Sequence, residues 1–241
     1  TYRLPDTAYH RHKLNRGFDL IVDIFGADHA DAYPDVLAAL NALDIDTNPI
    51  KVLIHQFVTL LKGGEKVKMS TRQANFVTLD ELINEVGGDV VRYFFIMRSM
   101  NSHLNFDLDL AADQSEKNPV YYIQYAHARI SNIINNGKSK HIDVDGNFDS
   151  SLLLNTAEIS LIKSLYEFPE IMKKTLNTLE PQSIANHLHD IASEFHKFYA
   201  KCRVITDDIE LTKSRIHLIK SVKIVLANGL NILGIQAPEK M

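Results

Sequence analysis

A single cysteine, Cys202, among 241 residues leaves no partner for an internal disulfide. No apolar run approaches the roughly 20 residues that span a bilayer, so no membrane partner is expected. The opening residues Tyr2, Arg3, Pro5 and Asp6 lack the basic-then-apolar order of a signal peptide. These absences argue against a disulfide-stapled, exported or membrane-spanning chain and make a reducing cytoplasm the expected location. Basic residues are not in excess either. With 26 Lys and Arg against 30 Asp and Glu, the formal net charge is −4, so any contact with nucleic acid must use local patches. No repeat of roughly 20 to 50 residues is evident, which favours a bundle over a solenoid wherever helices dominate.

What is present is enough apolar sequence for a proper core. Hydrophobic residues make up 45% and charged residues 23%, values of a globular chain of one or two domains. The first hundred residues alternate strand and helix signals. Phe18–Phe25 (FDLIVDIF) is a short apolar run ending at Gly26, as a buried parallel strand would. Leu37, Leu40 and Leu43 then give a helical stripe after Pro34, and Ile50–Phe57 (IKVLIHQF) supplies a second strand. Strand, helix, strand in this order implies a doubly wound sheet with ligands at the carboxyl ends of its strands. Further on, Thr78 and Glu81 form a capping-box pattern opening a helix that Gly87-Gly88 closes, and Asp89–Arg98 continues as a helix. Phe106–Leu110 reads as a brief strand or extended linker, and the domain boundary is placed near residues 110 to 116.

From Glu116 onward long amphipathic helices take over, interrupted by a Gly/Lys/Asp-rich loop over Gly137–Ser151. After Pro181, residues Ile184, Leu188, Ile191, Phe195 and Phe198 form one buried stripe, and Ile216, Ile219, Val222, Leu226, Leu230 and Leu233 form another. The fold class is α/β followed by all-α.

The stretch richest in chemistry is Lys66–Arg72 (KVKMSTR) after Gly63-Gly64. Glycines permit backbone angles that other residues resist, and Lys66, Lys68 and Arg72 set three positive charges around the hydroxyls of Ser70 and Thr71, an arrangement suited to a polyphosphate. A solvated basic hairpin fits these residues too. Lys68, Met69 and Ser70 match the Lys-Met-Ser-Lys-Ser signature of class I aminoacyl-tRNA synthetases. Thr71 stands where that signature has lysine, and Arg72, one position on, supplies the charge.

Five blocks in order carry a closer likeness: TYRLPDTAYH at 1 to 10, FGADHAD at 25 to 31, VKMSTRQANFVTLDEL at 67 to 82, NPVYYIQYAHARI at 118 to 130 and VLANGLNILGIQAPEKM at 225 to 241. Together they resemble the arginyl-tRNA synthetase family over essentially the whole chain. The resemblance implies the C-terminal part of a doubly wound, Rossmann-like class I catalytic domain over residues 1–112, and an α-helical bundle anticodon-binding domain over 113–241. It implies ligation of L-arginine to tRNA(Arg) at the expense of ATP. Members carry a His-x-Gly-His type motif upstream. None is found here, so the chain is expected to be a fragment that is inactive alone. The alternative reading is a non-catalytic tRNA-binding module.

The resemblance assigns roles residue by residue. Lys66, Lys68, Ser70 and Arg72 would stabilise charge on the triphosphate, with Val67, Lys68 and Met69 beside the nucleotide. Tyr2 and Asp6, four apart and so on one helical face, would bind the arginine side chain together with Asp28, since a guanidinium seeks a planar carboxylate and an aromatic neighbour. Asp6 beside Pro5 is also a plausible helix cap. Gly26, Asp28 and His29 would meet ATP or the adenylate, although Gly-x-Asp is most often a plain turn. Gln56 and Phe57 would line the adenine pocket, with Phe57 equally suited to the core. Tyr121, Tyr125, Arg129, Tyr199, Arg203, Arg215 and Met241 would contact tRNA by stacking and charge, with Lys213 and Lys220 assisting and with Phe198 and Lys201 beside Tyr199. Tyr122, Tyr125 and Arg129 also fit a core stripe with a snorkelling arginine. Eleven histidines include the pairs His10/His12 and His187/His189, whose spacing of two does not face one ion from a helix, so no protein-bound metal is expected. Magnesium would arrive with ATP. A monomer is expected.

Overall fold

The structure, a computed structural model, describes residues 2–67 and 77–241. It comprises two compact units, Thr1–Thr59 with Ser99–Asn105, and Leu60–Arg98 with Phe106–Met241. Strands β3 (Val58–Lys62) and β5 (Leu104–Asp107) carry the chain from one unit to the other.

The first unit contains α1 (Arg3–Leu14), β1 (Ile21–Gly26), a 3-10 turn at Ala27–His29, α2 (Tyr33–Asn41) and β2 (Ile50–His55). β1 and β2 pair in parallel, from Ile21 opposite Ile50 to Gly26 opposite His55, so the strand–helix–strand reading holds. Ile21, Val36, Leu40 and Ile50 form the core, flanked by Leu14, Leu37, Ile45 and Val52. Two expectations need correction. The first strand begins at Ile21 and alternates: Ile21 and Asp23 are buried, whereas Val22 and Ile24 are 40% and 63% exposed. The core packs on one face of the strand only. Leu43 is exposed because α2 ends at Asn41 and the chain turns at Asp44, whose φ is 58°.

In the second unit, β3 and β4 (Glu65–Lys66) form a hairpin with Leu61 opposite Lys66 and Lys62 opposite Glu65. Its two-residue turn, Gly63-Gly64, has φ of 60° and 79°, the left-handed pair that two-residue hairpins demand and glycine adopts freely. α3 (Leu79–Val86) opens with the anticipated capping box. Glu81 N–H donates to Thr78 Oγ1 at 3.2 Å and Thr78 N–H to Glu81 Oε2 at 2.8 Å. These bonds hold the Glu81 carboxyl below its usual range. The helix stops at Gly87, φ 90°, and α4 (Gly88–Ile96) follows. Phe106–Leu110 proves half strand and half helix: β5 ends at Asp107, whose carboxylate caps α5 (Leu108–Ala112).

The helical part consists of α6 (Pro119–Ser139), α7 (Thr156–Thr178), α8 (Gln182–Lys201) and α9 (Ile209–Ile232). Asn118 caps α6 ahead of Pro119, and Asn155 with Glu158 forms a capping box on α7. Both predicted stripes are buried: Ile184, Leu188, Ile191, Phe195 and Phe198 on α8, and Ile216, Ile219, Val222, Leu226 and Leu230 on α9. α8 and α9 approach so closely at Gly229 that a Cβ there would lie 2.5 Å from Leu188 Cδ2. Among the described residues, no helix is long and apolar enough to cross a membrane.

Candidate functional site

In the first unit a narrow cleft lies at the carboxyl end of β1. It is lined by Asp6 and His10 from α1, Phe25 and His29 after the strand, Ala32, Tyr33, Val36 and Leu37 of and before α2, and Val52 of β2. Its volume is about 40 Å³, room for roughly three waters and therefore the scale of one planar side-chain head group. Asp6 lies in the first turn of α1 and its N–H reaches the Tyr2 carbonyl at 3.3 Å, so the two do share a helical face. The Asp6 side chain makes no capping bond. Among the described residues it has no ion-pair partner, whereas the neighbouring Asp35 is paired with Arg3.

Of the residues singled out from sequence, Asp6 and His29 meet in this cleft. Tyr2 is 87% exposed and does not line it, nor do Gly26, Asp28 or Gln56. A Cβ at Gly26 would sit 2.6 Å from Asp28 Oδ1, the end of a mostly exposed side chain that can turn aside. Asp28 Oδ2 lies 3.7 Å from His29 Nε2, both side chains being mostly exposed. Gln56 N–H donates to the Met100 carbonyl at 2.8 Å. Phe57 is 61% exposed, which removes the core reading for it. Phe25 and Tyr33 were missed from sequence, and His10 was weighed there only with His12 as a metal pair. Asp23 was missed too, a carboxylate inside an apolar strand run, and that oddity was the available signal.

Lys66 is exposed and belongs to strand β4, so the basic stretch starts on the hairpin and not in a loop. Val67 N–H completes the hairpin by donating to the Leu60 carbonyl at 2.9 Å. Gly63 N–H donates to Asp109 Oδ2 at 2.6 Å, anchoring the turn. Lys68, Met69, Ser70 and Arg72 lie outside the described residues.

The helical part gathers aromatic and basic groups between α6 and α8. The Arg129 guanidinium stands 4.2 Å from the Tyr199 ring centre and 5.6 Å from that of Tyr125, and its Nη1 donates to Tyr125 Oη at 3.3 Å. His196 stacks on Tyr125 at 6.0 Å and lies 4.6 Å from Tyr122. Burial, aided by the Arg129 charge, pushes the His196 imidazole below its ordinary pKa. Beside this cluster a groove of about 410 Å³ is lined by Asn136, Lys140, Tyr199, Lys201 and Arg203 over a floor of Ile133, Val204 and Ile205. Three cations and an aromatic edge around one groove can hold a polyanion with an unstacked base.

The last residues are strapped to this unit. Gln124 Nε2 donates both to Asp89 Oδ2 and to the Gln236 carbonyl at 3.0 Å, Gln236 N–H donates to Asp89 Oδ2 at 3.2 Å, and His127 Nδ1 donates to the Pro238 carbonyl at 2.7 Å. Lys223 pairs with Glu239 at 2.7 Å, and Met241 is half exposed beyond them.

Residues 123–241 match the DALR anticodon binding domain, and residues 20–121 match the class I tRNA synthetases (M). Over its full length the chain is 52% identical to the arginine–tRNA ligase of Salinibacter ruber and 49% identical to that of Chlorobaculum tepidum. The chain belongs to the arginyl-tRNA synthetase family. It spans 43% and 44% of those two relatives, less than half of their length. A solved structure from Campylobacter jejuni assigned to an arginyl-tRNA synthetase superposes with a TM-score of 0.88 at 32% identity, covering 100% of this chain and 52% of that one. The Thermus thermophilus arginyl-tRNA synthetase gives 0.74 at 21% identity, covering 92% of this chain and 41% of its own, and bears on the fold alone.

Within this synthetase family fold, some residues expected to contact RNA have partners inside the chain. Arg215 is 13% exposed and donates through Nε to Glu158 Oε1 at 2.7 Å and through Nη1 to the Arg203 carbonyl at 2.8 Å. Its charge neutralises a carboxylate that is itself 1% exposed, because leaving that anion unpaired would be costly. Lys220 is likewise held by the Val144 carbonyl and Asp145, and Lys213 by Glu210. Phe198 is wholly buried. Tyr121 and Tyr125 are half-buried, and Arg203 and Lys201 are exposed.

Proposed function

We propose that this chain supplies part of an arginine–tRNA ligase. In this reading the cleft at the end of β1 takes the side chain of L-arginine, the basic stretch after the glycine hairpin takes ATP with its magnesium, and the helical part takes tRNA(Arg). The observation that carries the arginine assignment is the Asp6 carboxylate. Asp6 lines an aromatic-walled cleft of guanidinium size, and its carboxylate has no cation of its own among the described residues. Tyr2, one turn away, and Asp28, next to His29, are the further arginine-binding candidates.

The proposed reaction needs an arginine carboxylate oxygen to bond to the α-phosphorus while the bond from that phosphorus to pyrophosphate breaks. Negative charge builds on phosphate oxygens and no proton need be removed, so positioned cations do most of the work. Lys66, Lys68, Arg72 and Ser70 are proposed for that task, with Gly26, Asp28, His29, Gln56, Val67 and Met69 beside the nucleotide. Residues 1–112 would form the catalytic portion and 113–241 the anticodon-binding portion. Tyr121, Tyr125, Arg129, Tyr199, Arg203 and Met241 would meet the RNA.

The test is arginine-dependent ATP–pyrophosphate exchange by the protein carrying this chain at its relatives' length. Asp6→Ala should raise KM for arginine at least tenfold while KM for ATP stays put, and an unmoved arginine KM would refute the assignment. A second reading, an RNA-binding module without chemistry, draws on the basic groove at Tyr199, Lys201 and Arg203. Exchange activity separates the two.

A further inference from the structure

β1 carries a charged residue on its buried face. Asp23 is 8% exposed and lies two residues from the core residue Ile21. Its Oδ2 accepts from His10 Nε2 at 2.9 Å and its Oδ1 from Lys13 Nζ, both on α1. The other nitrogen of the same ring, His10 Nδ1, donates to the Asp6 carbonyl at 2.8 Å. A carbonyl and a carboxylate only accept, so both bonds are made together when the ring carries both protons.

His10 therefore grips two things at once: the first turn of α1, where Asp6 sits, and the strand that continues into Phe25 and His29. Asp6, Phe25 and His29 all line one cleft, and His10 itself is among its lining residues. A buried ion cluster contributes little net stability, since desolvation offsets most of the attraction, but it defines one register strongly because losing a partner strands a buried charge. Hydrophobic contacts alone would let α1 slide or rotate slightly on β1. The cluster would not.

We propose that His10 and Asp23, with Lys13, are positioning residues that hold the Asp6 carboxylate at a set distance from the β1 wall, and so determine that the cleft accepts a planar guanidinium head. This rests on the reading of the cleft as the arginine site. Asp23→Asn keeps the volume and removes the charge that orders His10. In ATP–pyrophosphate exchange by the relatives-length protein, it should raise KM for arginine by about tenfold to a hundredfold, the scale of a misplaced group, with KM for ATP within twofold. Discrimination against lysine should fall with it. Asp23→Glu, which restores the charge, should recover part of the loss. Ile50→Ala, a truncation of a core residue that does not itself line the cleft, should lower the melting temperature and change the KM for arginine far less. If Asp23→Asn shifts arginine KM no more than Ile50→Ala does, the positioning role is wrong while Asp6 stands. If Asp6→Ala also leaves that KM unmoved, the arginine reading itself fails and takes the positioning role with it.

Discussion

Arg215 Nε lies 2.7 Å from Glu158 Oε1, joining the last helix of the bundle to the first turn of α7 across a carboxylate that is 1% exposed. A charge pair this enclosed behaves unlike a surface contact. Arg215→Ala should destabilise the protein by roughly 3–5 kcal/mol, because the buried Glu158 charge is left unpaired. Thermal unfolding measures it, and combining Arg215→Met with Glu158→Leu should recover much of the loss. An Arg215→Ala protein with unchanged melting temperature and weakened RNA binding would instead give Arg215 a phosphate-contact role.

Burial lowers the pKa of two histidines in the same unit, His127 and His196, below the usual imidazole value. Each binds a proton less readily in the fold than when unfolded. The stability they contribute is present above the unfolded-state pKa, near 6.5, and is lost as pH falls below it. Melting temperature should therefore rise from about pH 5 to about pH 6.5 and then level off. His127→Gln should flatten that slope while retaining a donor for the Pro238 carbonyl. A slope of opposite sign would contradict the downward shift by burial.

Gly229 sits where α9 meets Leu188 of α8, with space for no Cβ. Leu188 is fully buried and cannot swing away. Gly229→Ala should cost about 1–3 kcal/mol despite alanine's better helix propensity, since overpacking outweighs the gain of roughly 1 kcal/mol from removing a helical glycine. Chemical denaturation would report it as a lower midpoint.

For the groove beside Tyr199, charge and stacking should separate experimentally. Arg203→Ala and Lys201→Ala should each reduce the salt dependence of tRNA(Arg) binding by about one phosphate equivalent. Tyr199→Ala should cost about 1–3 kcal/mol through lost stacking and leave the salt slope intact. Filter binding across a salt series distinguishes these outcomes. Affinity unchanged in all three variants would remove the groove from the proposed RNA surface.

Elements whose signals are local could be read directly. The Thr78–Glu81 box and the α8 and α9 stripes are set by side-chain-to-backbone bonds within one turn and by the 3.6-residue period, both of which sequence displays. Other features broke local rules. Pro169 stands inside α7, where a break would be anticipated, and that helix packs along α8 regardless. Leu179 ends it with φ 58°, a left-handed cap usually given to glycine or asparagine. Strand β1 was legible as a strand but not as one with an exposed apolar face, because the period of two says which residues alternate and not what lies opposite.

The proposed site divides in the same way. Sequence by itself determined the chemical types available, a carboxylate at Asp6, a glycine at Gly26, a basic stretch from Lys66, and the two-part order of α/β then helices, because these depend on residue identity and short spacing. Only the tertiary structure decided which charges are free to act. It placed Arg215 and Lys220 on internal partners, gathered Tyr199, Lys201 and Arg203 around one groove, and joined His10 to Asp23 across 13 positions of chain. Pairing and burial are properties of distance in space, and a folded chain sets those distances through packing that no local pattern encodes.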